Sequence, residues 1–261
     1  MLSKLQSDFL KIIRACFEND ESIEISPDID FRAIYELACE HCVQSLVYNK
    51  IYTVIALPDD LRDVWSDATF FAVSWQMSRQ DKFLQVYSKI TDSGINAIVL
   101  KGIILRAIYP AGDCRPSCDE DIFIEKKDVD RVIGILKGCG MTCRNKYTDA
   151  LVYEDRKTNL VIELHTELVK DNPPLNVSYK SYLNPDKVAI DGVELRTLNC
   201  TEHCLYIFFH IYKHFLFAGI GIRQLCDLYQ YINTYYSDID WSAFYKALED
   251  NNLTRFFLCS C

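Results

Sequence analysis

Asp119 and Asp121, in the run Ser117-Cys118-Asp119-Glu120-Asp121-Ile122, are the residues whose types and spacing point most directly to chemistry. In a β-strand alternate residues share a face, so the two carboxylates stand side by side while Ile122 and Ile124 turn the other way. Carboxylates held that close repel one another unless a cation sits between them. Magnesium, bound by one or two carboxylates plus substrate phosphates, is the usual solution. On its own D-x-D is also the signature of a solvated turn before a strand. Three features sharpen it. Lys101-Gly102 follows a buried apolar run and opens a helix, where backbone N–H groups and a helix N-terminus can meet phosphate. Arg115 precedes the carboxylates and is placed to neutralise phosphate or to brace the loop. In Leu160 to His165, residues Val161, Glu163 and His165 share one face while Leu160, Ile162 and Leu164 face the core, which makes Glu163 a third carboxylate.

The elements that must position these residues are readable from periodicity. Leu5, Phe9, Ile12, Ile13 and Cys16 form one helical face, and Phe31, Ile34, Leu37, Ala38 and His41 continue as another to Leu46. After Pro58 a longer pattern with Leu61, Trp65, Ala68, Ala72 and Trp75 runs to Asp92, with both tryptophans as packing anchors. Ile95 to Leu100 reads as a strand, followed by the glycine turn and a helix ending near Pro110. Asp119 to Ile124 is a second strand, and Lys126 to Lys137 a helix. Leu151 to Asp155 and Leu160 to His165 form a hairpin. Lys187 to Ile190 and Val193 to Arg196 form another around Asp191-Gly192. From Asn199 the chain returns to helices over Glu202 to Phe217, Ile222 to Tyr236 and Trp241 to Asp250. The fold class is α+β: a small mixed sheet with flanking helices over 93–198, an N-terminal helical region over 1–92 and a C-terminal one over 199–261. Phe256 to Cys261 are still apolar, as expected of a chain that continues or has been cut.

At 261 residues, 49% hydrophobic and 25% charged, the chain has an ordinary globular composition. The apolar stretch from Leu205 to Ile222 is interrupted by His210, Lys213 and His214, so it reads as a buried helix and no membrane association is expected. The first residues lack the apolar run of an export signal, which implies a cytoplasmic protein. Its 12 cysteines then read as reduced core residues, although Cys39-x-x-Cys42 leaves a structural zinc site as an alternative. A net charge of −9 disfavours nucleic acid as a partner.

The ordered set of Val99-Leu100-Lys101-Gly102, Leu105, Tyr109-Pro110, Arg115-Pro116-Ser117-Cys118-Asp119-Glu120-Asp121-Ile122 and Ile162-Glu163-Leu164-His165 resembles the uncharacterised nucleotidyltransferase family of the polymerase-beta-like superfamily. The resemblance runs from Asp30 to about Ile232 and takes in His210-x-x-x-His214 and Arg223-x-x-x-Asp227. The Lys-Gly to D-x-D run is also similar to abortive-infection toxin nucleotidyltransferases. The resemblance implies that Asp119 and Asp121 hold magnesium or manganese, that Glu163 takes the third acidic position and helps activate the attacking hydroxyl, and that Gly102 begins a phosphate-contacting turn. Lys101, Arg115, Ser117, Lys213 and Arg223 would contact the nucleotide. The chain departs from the broader superfamily in two ways: Lys101-Gly102-Ile103 supplies no hydroxyl where Gly-Ser is usual, and Glu163 stands where many relatives have Asp.

Other residues have blander readings. His210 with His214 and Arg223 with Asp227 share helix faces and read as a hydrogen-bonding cluster and a surface ion pair. His165 is expected to orient Glu163 or a neighbouring loop, since a hard cation prefers oxygen. Tyr109, Tyr147 and Tyr153 are candidate base-stacking residues, and Lys126-Lys127 a solvated first turn. The function expected is magnesium-dependent transfer of NMP from a triphosphate such as ATP to a hydroxyl-bearing acceptor, small molecule or protein. Rivals are a non-catalytic nucleotide-binding regulator or toxin–antitoxin component of the same fold, and a zinc-binding interaction protein.

Overall fold

A computed structural model describes residues 2–18, 23–145, 151–168 and 175–260. Tyr147 lies outside them. The chain opens with α1 (Lys4–Ala15), α2 (Phe31–Glu40) and α3 (Gln44–Ile51), then the long α4 (Asp59–Asp92). The face read as continuous from Phe31 to Leu46 is broken between α2 and α3. Cys42 takes a left-handed conformation, φ 54°, and the Val43 N–H closes on the Ala38 carbonyl at 2.8 Å. A helix C-cap of this type usually uses glycine, so the sequence carries no marker for it.

The long helix α4 belongs to two cores. Leu61 and Trp65 pack with α1–α3, and the Trp65 indole donates to the Gln44 carbonyl at 2.8 Å. Phe83, Leu84, Val86, Tyr87 and Ile90 pack against the sheet. Trp75, read as a second anchor, is 40% exposed. Ten residues beyond Trp65, it is turned about 80° round the helix from that buried stripe.

The sheet contains β1 (Ile98–Leu100), β2 (Asp119–Phe123), β3 (Thr142–Asn145), β4 (Leu151–Asp155) and β5 (Leu160–His165) in the order β1-β2-β5-β4-β3. Only β2 and β5 run parallel; β1 with β2, β4 with β5 and β3 with β4 are antiparallel. Between β1 and β2 lies α5 (Gly102–Ile108), and between β2 and β3 lies α6 (Val129–Gly138). Val132 and Leu136 of α6 are buried, with Val129 and Ile133 partly so, as the periodicity requires. A separate hairpin, β6 (Asp186–Ile190) and β7 (Val193–Thr197), lies against β1, where the Thr197 hydroxyl donates to the Val99 carbonyl at 2.8 Å.

The remaining helices are α7 (Cys200–Phe217), α8 (Ile222–Tyr235), α9 (Trp241–Asp250) and α10 (Thr254–Ser260). Alternation divides the sheet between two cores. Val99, Ile122 and Ile124 face α4 and α6, while Ile98, Leu100 and Phe123 face the C-terminal helices. Asp119 and Asp121 have the parity of Phe123, so their face of the sheet looks toward α7 and α8. Strand β3 and helix α10 were not anticipated. No helix among the described residues is long and apolar enough to cross a membrane.

Candidate active site

Parallel pairing of β2 with β5 puts Asp119 opposite Val161, Asp121 opposite Glu163 and Phe123 opposite His165. Asp121 is buried, Glu163 half-buried and Asp119 exposed, and all three line one cavity of about 390 Å³. The Asp121 Oδ1 meets His165 Nε2 at 2.8 Å, whereas Glu163 lies 3.8 Å from the same nitrogen. His165 therefore orients Asp121 more closely than Glu163, its expected partner. Burial pushes the Asp121 carboxyl up, but Lys101 and then His165 outweigh it and hold the group far below the ordinary carboxylate range. Glu163 goes the other way, raised by burial and then by Asp121 and Asp119.

Lys101 and Gly102 make the turn between β1 and α5, both at positive φ, 42° and 35°. Glycine is required at the second position, because a Cβ there would stand 2.0 Å from Glu120 Oε2. That carboxylate accepts the Ile103 N–H at 2.8 Å and the Arg106 guanidinium at 2.5 Å. Glu120, on the opposite face of β2 from the two aspartates, thus anchors the turn from below. The Lys101 ammonium reaches back to Asp121 Oδ2 at 3.0 Å and lies 3.2 Å from a ring nitrogen of His210.

Arg115 lines the cavity, but its guanidinium is committed to Asp227 through contacts of 2.6 and 2.7 Å. The Tyr109 hydroxyl donates to the same carboxylate at 2.7 Å. Burial pulls the Arg115 guanidinium down and Asp227 more than restores it, so it stays charged. Of the two expected roles the geometry matches the brace. Arg223 sits 3.7 Å from Asp227 as expected at i, i+4, yet Asp227 is buried, so this is no surface pair. Tyr109 is likewise packed against Asp227 and away from the cavity lining, which removes it as a base-stacking residue. Tyr153 is buried in the α4–sheet core. Ser117 lines the cavity with its N–H on Gln76 at 2.9 Å and its hydroxyl accepting from Arg106.

Lys213, His214 and Arg223 complete the polar wall from α7 and α8, and Tyr179, Tyr206 and Phe209 add an aromatic one. His203, Tyr206, His210 and Lys213 form a stripe on one side of α7. Sequence reading singled out only part of it, although the 3-4-3 spacing inside an apolar helix was the available signal. His203 accepts the Lys101 backbone N–H at 3.1 Å, and burial, then Lys101, pull its pKa down to about 3. His210 is also driven well below its ordinary value, first by burial and then by Lys101.

The donor set fits a divalent cation. Asp121, Glu163 and His165 each offer a ligand atom, and the three atoms lie within 4.8 Å of one another. Two of the three are carboxylates, which suit a hard cation, and the third is His165; Asp119 lines the same cavity but lies outside this close group. Among the described residues no such group includes cysteine, and Cys39 and Cys42 are exposed free thiols, which leaves the zinc alternative without a site there.

Residues 27–261 match the family described as uncharacterised nucleotidyltransferase. The chain belongs to that family. It is a transferase by family, and nucleotidyl transfer is the reaction of the class. No curated protein matches it in sequence. Among solved structures it is similar to the antibiotic-resistance factor ANT(2'')-Ia, at 11% identity and a TM-score of 0.43, over 66% of this chain and 97% of that one.

Proposed function

We propose that this chain transfers a nucleoside monophosphate from a magnesium- or manganese-bound triphosphate, ATP among them, to a hydroxyl-bearing acceptor that is a small molecule or a protein. The observation that carries the reading is the register of the parallel seam, which pairs Asp121 with Glu163 inside a cavity walled by Lys213, His214 and Arg223. Asp121 and Glu163, with His165 beside them, would hold the cation, and Asp119, exposed in the same cavity and outside that close group, would turn to it as a third carboxylate. Bound there, it screens the triphosphate and stabilises the departing pyrophosphate. The chain's own residues do the rest. Lys213 and Arg223 draw in the phosphates, and the turn at Lys101-Gly102 confines them. Glu163 takes the proton of the acceptor hydroxyl as that hydroxyl's oxygen bonds to the α-phosphorus and the bond to pyrophosphate breaks. Arg115, through Asp227, keeps α8 seated so that Arg223 stays at the rim.

A cytoplasmic setting goes with this reading, since the described cysteines are all free. The test is incubation with each α-labelled triphosphate and magnesium, comparing wild type with Asp119→Ala/Asp121→Ala. Label passing to an acceptor or to the protein itself, and absent from the double variant, supports transfer. One observation favours a second reading, a nucleotide-binding regulator without turnover: the ammonium of Lys101 already sits on Asp121. Tight triphosphate binding with no pyrophosphate released would select it.

A further inference from the structure

Both oxygens of Asp121 are already engaged by the chain itself. Oδ2 contacts the Lys101 ammonium at 3.0 Å and Oδ1 meets His165 at 2.8 Å. A divalent cation bound at Asp121 would therefore lie beside a resident positive charge, and like charges at that range repel.

The chain goes to some length to keep a lysine there. Lys101 takes φ 42° and ψ −127°, a backbone conformation that residues with a Cβ adopt at a cost. Its N–H is received by His203 Nε2 at 3.1 Å, and His203 is in turn set by the Thr197 hydroxyl, 3.2 Å from Nδ1. The base of the side chain is thus fixed. Its head, largely buried, is held by contacts that a new partner can replace, and a lysine stem has four rotatable carbons with which to carry a compact charge from one partner to another. Lys101 lines the same cavity as Lys213, His214 and Arg223. Besides Asp121 its ammonium has two uncharged neighbours, the His210 ring 3.2 Å away, buried and neutral, and the face of Tyr206, whose ring centre is 5.9 Å away.

We propose that Lys101 is an exchangeable counter-ion: it neutralises Asp121 until a cation–triphosphate complex arrives, then yields the carboxylate and moves its ammonium to a phosphate oxygen. This rests on the nucleotidyl-transfer site described above and adds to it an order of binding. Cation alone is resisted. Cation and triphosphate together are accepted, because the triphosphate gives the displaced ammonium a new partner. The two ligands must then help each other to the same degree, as linkage requires.

The test is binding, not turnover. Manganese affinity is measured by calorimetry and by its electron paramagnetic resonance signal, with and without a non-hydrolysable triphosphate, on wild type, Lys101→Met and Lys101→Gln. Removing the charge is expected to tighten manganese binding in the absence of nucleotide by about 10-fold and to shrink the mutual enhancement by a similar factor. The second variant keeps a polar stem should the first not fold, and circular dichroism checks both. If wild type binds manganese and triphosphate but neither variant binds manganese more tightly, the exchange is overturned while the transfer reading stands. If wild type binds neither ligand, both readings fall together.

Discussion

Asp121 and Glu163 face each other across the parallel seam of the sheet, one ionised and gripped by the chain, the other half-buried and raised in pKa by that burial first and by the aspartates second. Two carboxylates with such different surroundings are unequal in what they can do. Asp121→Asn keeps the shape but turns one acceptor oxygen into a donor and removes the charge that Lys101 and His165 contact, and it is expected to lower transfer by at least about 10²-fold. Glu163→Gln is expected to do the same while leaving the fold intact, since its buried neighbour His165, 3.8 Å away, is held more closely by Asp121 at 2.8 Å. Single-turnover transfer assays alongside thermal unfolding check both; a Glu163→Gln protein that keeps wild-type rates removes the residue from the reaction.

Gly102 is the position where backbone and packing leave no room for substitution. Gly102→Ala would require a Cβ 2.0 Å from the Glu120 carboxylate at a φ of 35°. Moving Glu120 breaks its hold on Ile103 and Arg106, so a loss of about 3 kcal/mol is expected, from left-handed strain plus a displaced buried ion pair. Urea unfolding measures it, and a variant as stable as wild type contradicts the account.

Much of this site was legible in the sequence, because D-x-D, the acidic-x-His strand and Lys-Gly follow strand parity and turn chemistry that depend on neighbours in the chain. Glu163 could be assigned to the aspartates' face before any pairing was known. What was not legible depended on contacts across the fold. Arg115 looks like a phosphate ligand until Asp227, 112 residues on, is found beside it. Glu120 looks like a solvated neighbour of the D-x-D until Arg106 and the Ile103 N–H converge on it. The break at Cys42 gave no signal at all, since no glycine or proline marks it.

Arg115 and Arg223 share Asp227 and should nonetheless fail differently. Arg115 is 3% exposed, and Arg115→Ala takes both close guanidinium contacts from the buried Asp227 carboxylate, leaving it the Tyr109 hydroxyl and Arg223 at 3.7 Å, for an expected loss of about 3 kcal/mol. Arg223 has a side chain 26% exposed at the cavity wall. Arg223→Ala is expected to cost little stability and to raise the KM for triphosphate about 10-fold with kcat nearly unchanged, the pattern of lost uniform binding. Equal stability losses in the two variants would show that both arginines are structural.

His203 ties stability to pH. Fully buried, it falls from its ordinary pKa of 6.5 to about 3, through burial first and Lys101 second. Below pH 6.5 the unfolded chain takes up a proton that the folded chain refuses until about pH 3. The contribution is therefore complete above pH 6.5 and is lost as pH falls through that window, reaching about 2 kcal/mol by pH 5. Urea midpoints at pH 7 and pH 5 give the slope for wild type and for His203→Gln, whose amide can still receive the Lys101 N–H. The variant should lose less on acidification than wild type; parallel losses would mean that other groups set the acid limit.

Cysteine reactivity separates the core of α1–α3 from the surface. Cys16, Cys114 and Cys226 share that core, and burial raises their thiol pKa values to about 12, about 11 and about 12. Cys39, Cys42, Cys118 and Cys259 are exposed. Because the thiolate is the reacting species, maleimide at neutral pH should label Cys42, Cys118 and Cys259 quickly, Cys39 more slowly since partial burial raises its thiol pKa, and spare the buried three until the chain unfolds. Peptide mass spectrometry after timed labelling reads each site. Prompt native labelling of Cys226 would mean that α8 opens away from α1–α3, and with it the seat that Arg115 and Asp227 provide for Arg223.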